Sequence, residues 1–267
     1  MAGVIPLLTE APKPPSLRPG LVPGVLSILA MLLVWTLASQ LTDRPQTLPA
    51  PWEVAARIMR LGASGELWFN AGMTLFRVVA SFALAMAAGM ALGLWMGRSR
   101  GADQWLNPGL IILLNVPALV VIVLCYIWIG LNETAAILAV ALNKIPVVTV
   151  MIREGTRALR PDLDDMARAF RMRPWARLRH VVLPQLAPHV AASARAGISL
   201  IWKIVLVVEF LGRSNGVGFK IHLLFSSFDV EGVLAWALAF VAVMLAIDLI
   251  LLRPWESRAN RWKQDAA

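Results

Sequence analysis

The chain has 267 residues, 58% of them hydrophobic, with a mean hydropathy of +0.69, a net charge of +9 and a pI near 10.9. An ordinary soluble domain is about 45–50% apolar, and here the excess is gathered into six blocks of about 20 residues, the length that crosses a bilayer; this excludes a sizeable soluble domain. Cys125, the only cysteine, excludes an intramolecular disulfide and a cysteine metal site, and basic residues set beside apolar blocks, with no nucleic-acid motif, point to anionic lipid and topology rather than DNA or RNA.

The expectation is an all-α, polytopic membrane protein with six transmembrane helices. Residues 1–20 carry Pro6, Pro12, Pro14, Pro15 and Pro19 and read as a Pro-rich tail, not a signal peptide. The transmembrane domain covers 21–252. Its first span is 21–41, followed by a polar loop with a short amphipathic helix opening at Pro51. The second, 70–97, ends at Arg98-Ser99-Arg100 and carries Gly89, Gly93 and Gly97, two overlapping G-x-x-x-G steps that read as a helix-packing stripe, within the subunit or at a dimer face. The third covers 106–129, and the turn Gly130-Leu131-Asn132 leads to the fourth, 133–152. A polar segment, 153–187, precedes the fifth span, 188–211. Residues 212–231 read as a Gly-rich loop, 232–252 as the sixth span and 253–267 as a charged tail.

Lys and Arg counts set the orientation. With the N-terminus inside, sixteen of the 25 fall in cytoplasmic segments, eight of these in 153–187, against five outside. Both tails and the 153–187 segment are therefore expected in the cytoplasm.

In 153–187, Asp162 reads as a cap with Asp165 three residues on, and Leu163, Met166, Ala167 and Phe170 share one helical face. Pro174 opens a second short helix in which Trp175, Leu178 and Val182 repeat the pattern, and Pro184 ends it. Two such amphipathic helices fit either a bilayer surface or a groove on a cytoplasmic protein.

Within the spans lie Arg77, Lys144, Arg195, Lys203 and Glu209. An intramembrane charge is costly and faces the bundle or a wet cavity. Lys144, Lys203, Glu209 and Asn143, beside Pro146, are candidate pathway residues for a small anion; structural ion pairs with other helices are the other reading, and Arg77 and Arg195 can snorkel to headgroups. Trp52, Trp68, Trp105, Trp255 and Trp262 sit at span edges as interfacial anchors do. His180, His189 and His222 have no metal-binding spacing, Asp229 and Glu231 read as solvated or partner-touching, and no cofactor is expected.

The 153–187 segment resembles the cytoplasmic loop of binding-protein-dependent ABC importer permeases. Asp165-Met166-Ala167 stands where that loop has Glu-Ala-Ala, Arg171 stands at its glycine, and Val181-Val182-Leu183-Pro184 matches its Ile-x-Leu-Pro-like end. From about Leu67 to Leu252 the chain is similar to the nitrate/sulfonate/taurine branch. The matching stretches are Thr74-Leu75-Phe76-Arg77, Gly93 to Arg100, Asn115-Val116-Pro117-Ala118-Leu119, Trp202-Lys203 to Glu209, and Gly212-Arg213-Ser214-Asn215-Gly216-Val217-Gly218. The resemblance implies a type I ABC importer permease in a bacterial inner membrane, with a second permease subunit (a homodimer), a pair of ATPase subunits and an extracytoplasmic solute-binding protein as partners. It also implies ATPase coupling through Asp165, Met166, Ala167, Phe170, Arg171, Trp175, Leu178, Leu183 and Pro184. The chain lacks a G-x-x-x-x-G-K-[ST] phosphate loop, so ATP hydrolysis is expected in another chain and this one is expected to be a transport subunit, not an enzyme. A secondary transporter or channel is the alternative; it would act without ATPase partners.

Overall fold

The computed structural model describes residues 21–42 and 46–247; the two expected tails and the last residues of the expected sixth span lie outside them. Every regular element among the described residues is helical. By contacts the chain divides after Trp52.

In the first unit, helix α1 (Leu21–Thr42) is apolar all round, as a lipid-facing helix is. In the turn that follows, the Trp35 indole donates to the Pro49 carbonyl (3.1 Å) and the Ser39 hydroxyl to Leu48 (2.9 Å).

The second unit opens on most of α2 (Pro51–Ala63), with Pro51 at its first position, and continues in α3 (Glu66–Arg98). Ser99 caps α4 (Arg100–Asn115), its side chain accepting from the Ala102 amide (3.2 Å). The expected third span is not one straight helix. Pro117 removes an amide and holds Val116 extended (φ −71°, ψ 126°), and α5 (Ala118–Ile129) leaves α4 at 100°. Asn132 caps α6 (Glu133–Arg157).

Helices α3 and α6 run side by side in the same direction. An added Cβ on Gly89 would lie 2.6 Å from Val148 Cβ, on Gly93 2.8 Å from Ile152 Cβ, and on Gly97 2.5 Å from Thr156 Cβ. Each partner is four residues beyond the last, so the glycine stripe is a groove for one row of α6, a contact inside the subunit. Because α3 and α6 are parallel, α4 and α5 together must return the chain to the level of Arg77 on α3, where Glu133 opens α6.

Beyond α7 (Pro161–Ala169) the chain is helical from α8 (Pro174–Arg177) through a π-helical turn at Leu178–Val182 into α9 (Leu183–Gly212). Pro184 therefore does not end the second short helix. Its missing amide is absorbed by the π turn, in which the Leu183 amide reaches back to the Leu178 carbonyl. Residues 212–231 are not wholly loop either: α10 (Val217–Ser226) lies among them, before α11 (Val230–Ile247).

Helix α6 packs against α3, α5 and α9, and α10 joins α9 to α11. The Tyr126 hydroxyl ties α5 to α9 by donating to the Val208 carbonyl (2.8 Å). Among the described residues, four helices are long and apolar enough to span a bilayer: α1 from Pro23, α3, α6 and α11. The bent α4–α5 pair makes a fifth. Helix α9, the expected fifth span, has the length but is not among them; it carries Arg195, Lys203 and Glu209.

Candidate functional site

The polar segment after α6 is built as a hairpin. The Asp164 carboxylate takes the Arg177 guanidinium (Nε to Oδ1 2.7 Å, with Nη2 on Oδ2) and that of Arg168 (3.2 Å), which locks α7 to α8. The paired Arg177 holds the Asp164 carboxyl below the usual carboxylate range, so the tie is present at neutral pH and weakens only as acid protonates Asp164. The Arg160 amide donates to Gln185 Oε1 (3.0 Å) at the head of α9. Asp162 is not the cap of α7: Arg160 holds that position, Pro161 opens the helix, and Asp162 pairs with Arg160 (2.5 Å).

The shared apolar face is split. Ala167, Val181 and Val182 are buried, whereas Phe170 is 77% and Trp175 67% exposed. Met166, Asp165, Arg171 and Pro184 are exposed too, and Leu163, Leu178 and Leu183 half-buried. Small apolar residues thus close the hairpin, and two aromatic rings stand off it among arginines.

Arg171 occupies the left-handed region, φ 49°. It is the second residue past the end of α7, after the capping Phe170, in a Schellman motif: its amide donates to the Arg168 carbonyl (2.9 Å) and that of Met172 to the Ala167 carbonyl (3.0 Å). The geometry asks for glycine, and a side chain there costs about 1–2 kcal/mol. Arg171→Gly is expected to stabilise the hairpin by about 1 kcal/mol, seen as slower exchange of the Met172 amide.

The intramembrane charges do not form one site. Glu209, fully buried, meets Arg77, 1% exposed, at 2.6 Å. It also accepts from the Thr74 hydroxyl (2.9 Å) and the Gly218 amide (2.8 Å). Arg77 reaches Glu133 through Nε (2.8 Å) and Nη2 (2.6 Å), the Asn215 carbonyl (3.0 Å), and Asn215 Oδ1. Arg213 closes the set on Glu133 (2.5 Å). Arg77 is no snorkelling residue, and Glu209 joins a two-plus, two-minus lock rather than an open path. Gly216 (φ 103°) lies so close that any Cβ would overlap the Glu209 carboxyl.

Lys203 Nζ lies 5.6 Å from the centre of the Trp202 ring, within cation–π range. Asn143 donates to the Ala139 carbonyl of its own helix (2.8 Å). Lys144 is buried, and its Nζ has no hydrogen-bond partner among the described residues. Asp229 and Glu231 are not simply solvated: they pair with Arg57 (3.0 Å) and Arg60 (3.3 Å).

Sequence reasoning missed Glu133, Arg213 and Asn215 as members of the lock. Its signal was present in two stretches, Thr74 to Arg77 and Gly212 to Gly218, which the fold brings together at the end of α9.

A family described as binding-protein-dependent transport system inner membrane component matches residues 87–253. A permease protein of Bacillus subtilis (strain 168) named for aliphatic sulfonates transport, SsuC, is 27% identical over 94% of this chain and 91% of its own. Its Escherichia coli (strain K12) namesake is 31% identical over 72% and 73%. The crystal structure of an amino acid ABC transporter with histidines overlays with a TM-score of 0.58 at 21% identity, covering 76% of this chain and 96% of that one, a likeness of fold.

Proposed function

This chain belongs to the family of binding-protein-dependent transport system inner membrane components, and we propose that it lines the path of a small polar or anionic solute, of the sulfonate, taurine or nitrate kind, and takes its stroke from a separate ATPase pair through residues 153–187. It is the permease subunit of an ATP-binding-cassette importer, a transport subunit rather than an enzyme. In this reading two copies pair in the inner membrane, an external binding protein delivers the solute, and both termini face the cytoplasm.

The observation that supports the coupling role is the hairpin itself. An amphipathic element that only closes on its own protein buries its large apolar residues. Here Phe170 and Trp175 stand out while the small residues beneath them are covered, and the Asp164–Arg177 tie fixes the two rings relative to each other. Rings on a rigid, cationic hairpin suit an apolar groove on a partner. Because α8 runs unbroken into α9, a load on Trp175 passes directly into a long core helix.

The test is co-purification with an importer ATPase co-expressed with this chain. Phe170→Asp and Trp175→Asp are expected to abolish co-purification and ATP-driven uptake while leaving the thermal unfolding of the permease unchanged, since both rings are exposed. Assembly and uptake at wild-type levels in both variants would overturn the docking role.

A further inference from the structure

Three core helices contribute to one layer. On α3, Phe82 lies between Val78 and Met86. On α6, Lys144 lies between Val140 and Val148. On α9, Gly197 lies between Ala194 and Ile201. The flanking residues belong to two apolar clusters, and Phe82 packs on both. Lys144 is thus a buried charge set between two apolar clusters, near the middle of α6. It is 2% exposed. An added Cβ on Gly197 would lie 3.1 Å from Lys144 Cε and 3.3 Å from Phe82 Cε2, so the glycine leaves room for the end of the lysine.

The other charged groups of this core have counterparts: Arg77 and Arg213 face Glu209 and Glu133, and Lys203 lies on the Trp202 ring. For Lys144, neither an ion pair nor a hydrogen bond is found among the described residues. A lone cation at that depth is costly, and a protein that only needed to fill the space would do better with methionine.

We propose that the Lys144 layer binds one monoanionic head group, sulfonate or carboxylate, of the solute in transit. This deepens the transport reading and rests on it. One ammonium neutralises one negative charge; a dianion such as sulfate would carry a net charge into the low-dielectric core. Phe82 and the two apolar clusters suit the uncharged remainder of a small organic anion. The layer is closed by α9, and α9 is continuous with α8 of the coupling hairpin. Displacement of α9 by the ATPase uncovers Lys144, which couples exposure of the charge to the stroke.

The full chain in lipid nanodiscs tests this. Thermal unfolding is followed against methanesulfonate, its neutral analogue methanesulfonamide, and sulfate. Methanesulfonate alone is expected to raise the midpoint. Lys144→Arg keeps the response; Lys144→Met weakens the apparent affinity by roughly 10- to 100-fold; Gly197→Ala, which crowds Lys144 Cε, weakens it too. Without anion, Lys144→Met should melt no lower than wild type, because it removes an uncompensated charge. An equal response to methanesulfonamide, or a wild-type response in Lys144→Met, would overturn the proposal. The ATPase co-purification is run on the same proteins: its failure with the wild-type chain would sink the transport reading, whereas the methanesulfonate titration judges Lys144 alone.

Discussion

Arg77→Ala is expected to destabilise the protein by about 3–5 kcal/mol, the cost of leaving a buried charge without its partner. The order of effects within the lock discriminates more sharply than any single value. Removing Arg77 strands Glu209, which is fully buried and meets no other cation among the described residues. Removing Glu209 instead leaves Arg77 its two-nitrogen grip on the partly exposed Glu133. Glu209→Ala should therefore cost less than Arg77→Ala, although it also orphans the Gly218 amide and the Thr74 hydroxyl. Replacing both by apolar residues of similar volume should recover part of the loss, since a buried pair contributes little net stability once its desolvation is counted. Equilibrium unfolding in mixed detergent micelles measures all three. An Arg77→Ala protein as stable as wild type would mean that the lock is not closed in the membrane.

Gly93→Ala is expected to cost about 1–3 kcal/mol, the usual range for overpacking a tight contact. The new methyl would lie 2.7 Å from the Thr149 carbonyl oxygen and 2.8 Å from Ile152 Cβ. Neither atom is the end of a flexible side chain, so α3 and α6 must move apart, and the fit of Gly89 on Val148 and Gly97 on Thr156 is lost with them. Gly72, on the same helix, has nothing within 4 Å of its added Cβ. Gly72→Ala should gain up to about 1 kcal/mol from helix propensity. The pair separates close approach from propensity, and the same unfolding assay reads both. A loss at Gly72 matching that at Gly93 would show that the stripe is not the contact surface.

Much of the architecture was legible because the bilayer imposes a length. Apolar blocks of about 20 residues coincide in large part with α1, α3, α6 and the described part of α11, since such a block has few other uses. The failures share a different cause. The stretch 106–129 is apolar apart from Asn107 and Asn115, so the bend has to be read from Pro117. Helix α10 is hidden behind the glycines of 212–218, of which Gly216 and Gly218 serve the Glu209 corner and Gly212 the contact with Tyr126. Pro184 reads as a stop because the local rule for proline does not foresee a π turn that makes room for it. The lock was illegible for a physical reason: Arg77 meets Glu133 and Glu209 across long stretches of sequence, and no local spacing encodes such a meeting. Arg171 is the opposite case, for the resemblance marked it as a glycine position and its positive φ supplies the reason.

The π turn at Leu178–Val182 also fixes a phase. A wide turn takes up one residue more than an α-helix would, and each residue is worth about 100° of rotation. Trp175 is therefore clocked against Gly197 and Glu209 differently from what an unbroken spiral would give. Deleting one residue between Leu178 and Val182 would let an ordinary α turn replace the wide one and keep Trp175 in phase, whereas straightening the wide turn with every residue kept would turn the aromatic head by roughly that angle on its own shaft. The protein's timing thus resides in an irregularity of winding, which no individual side chain carries.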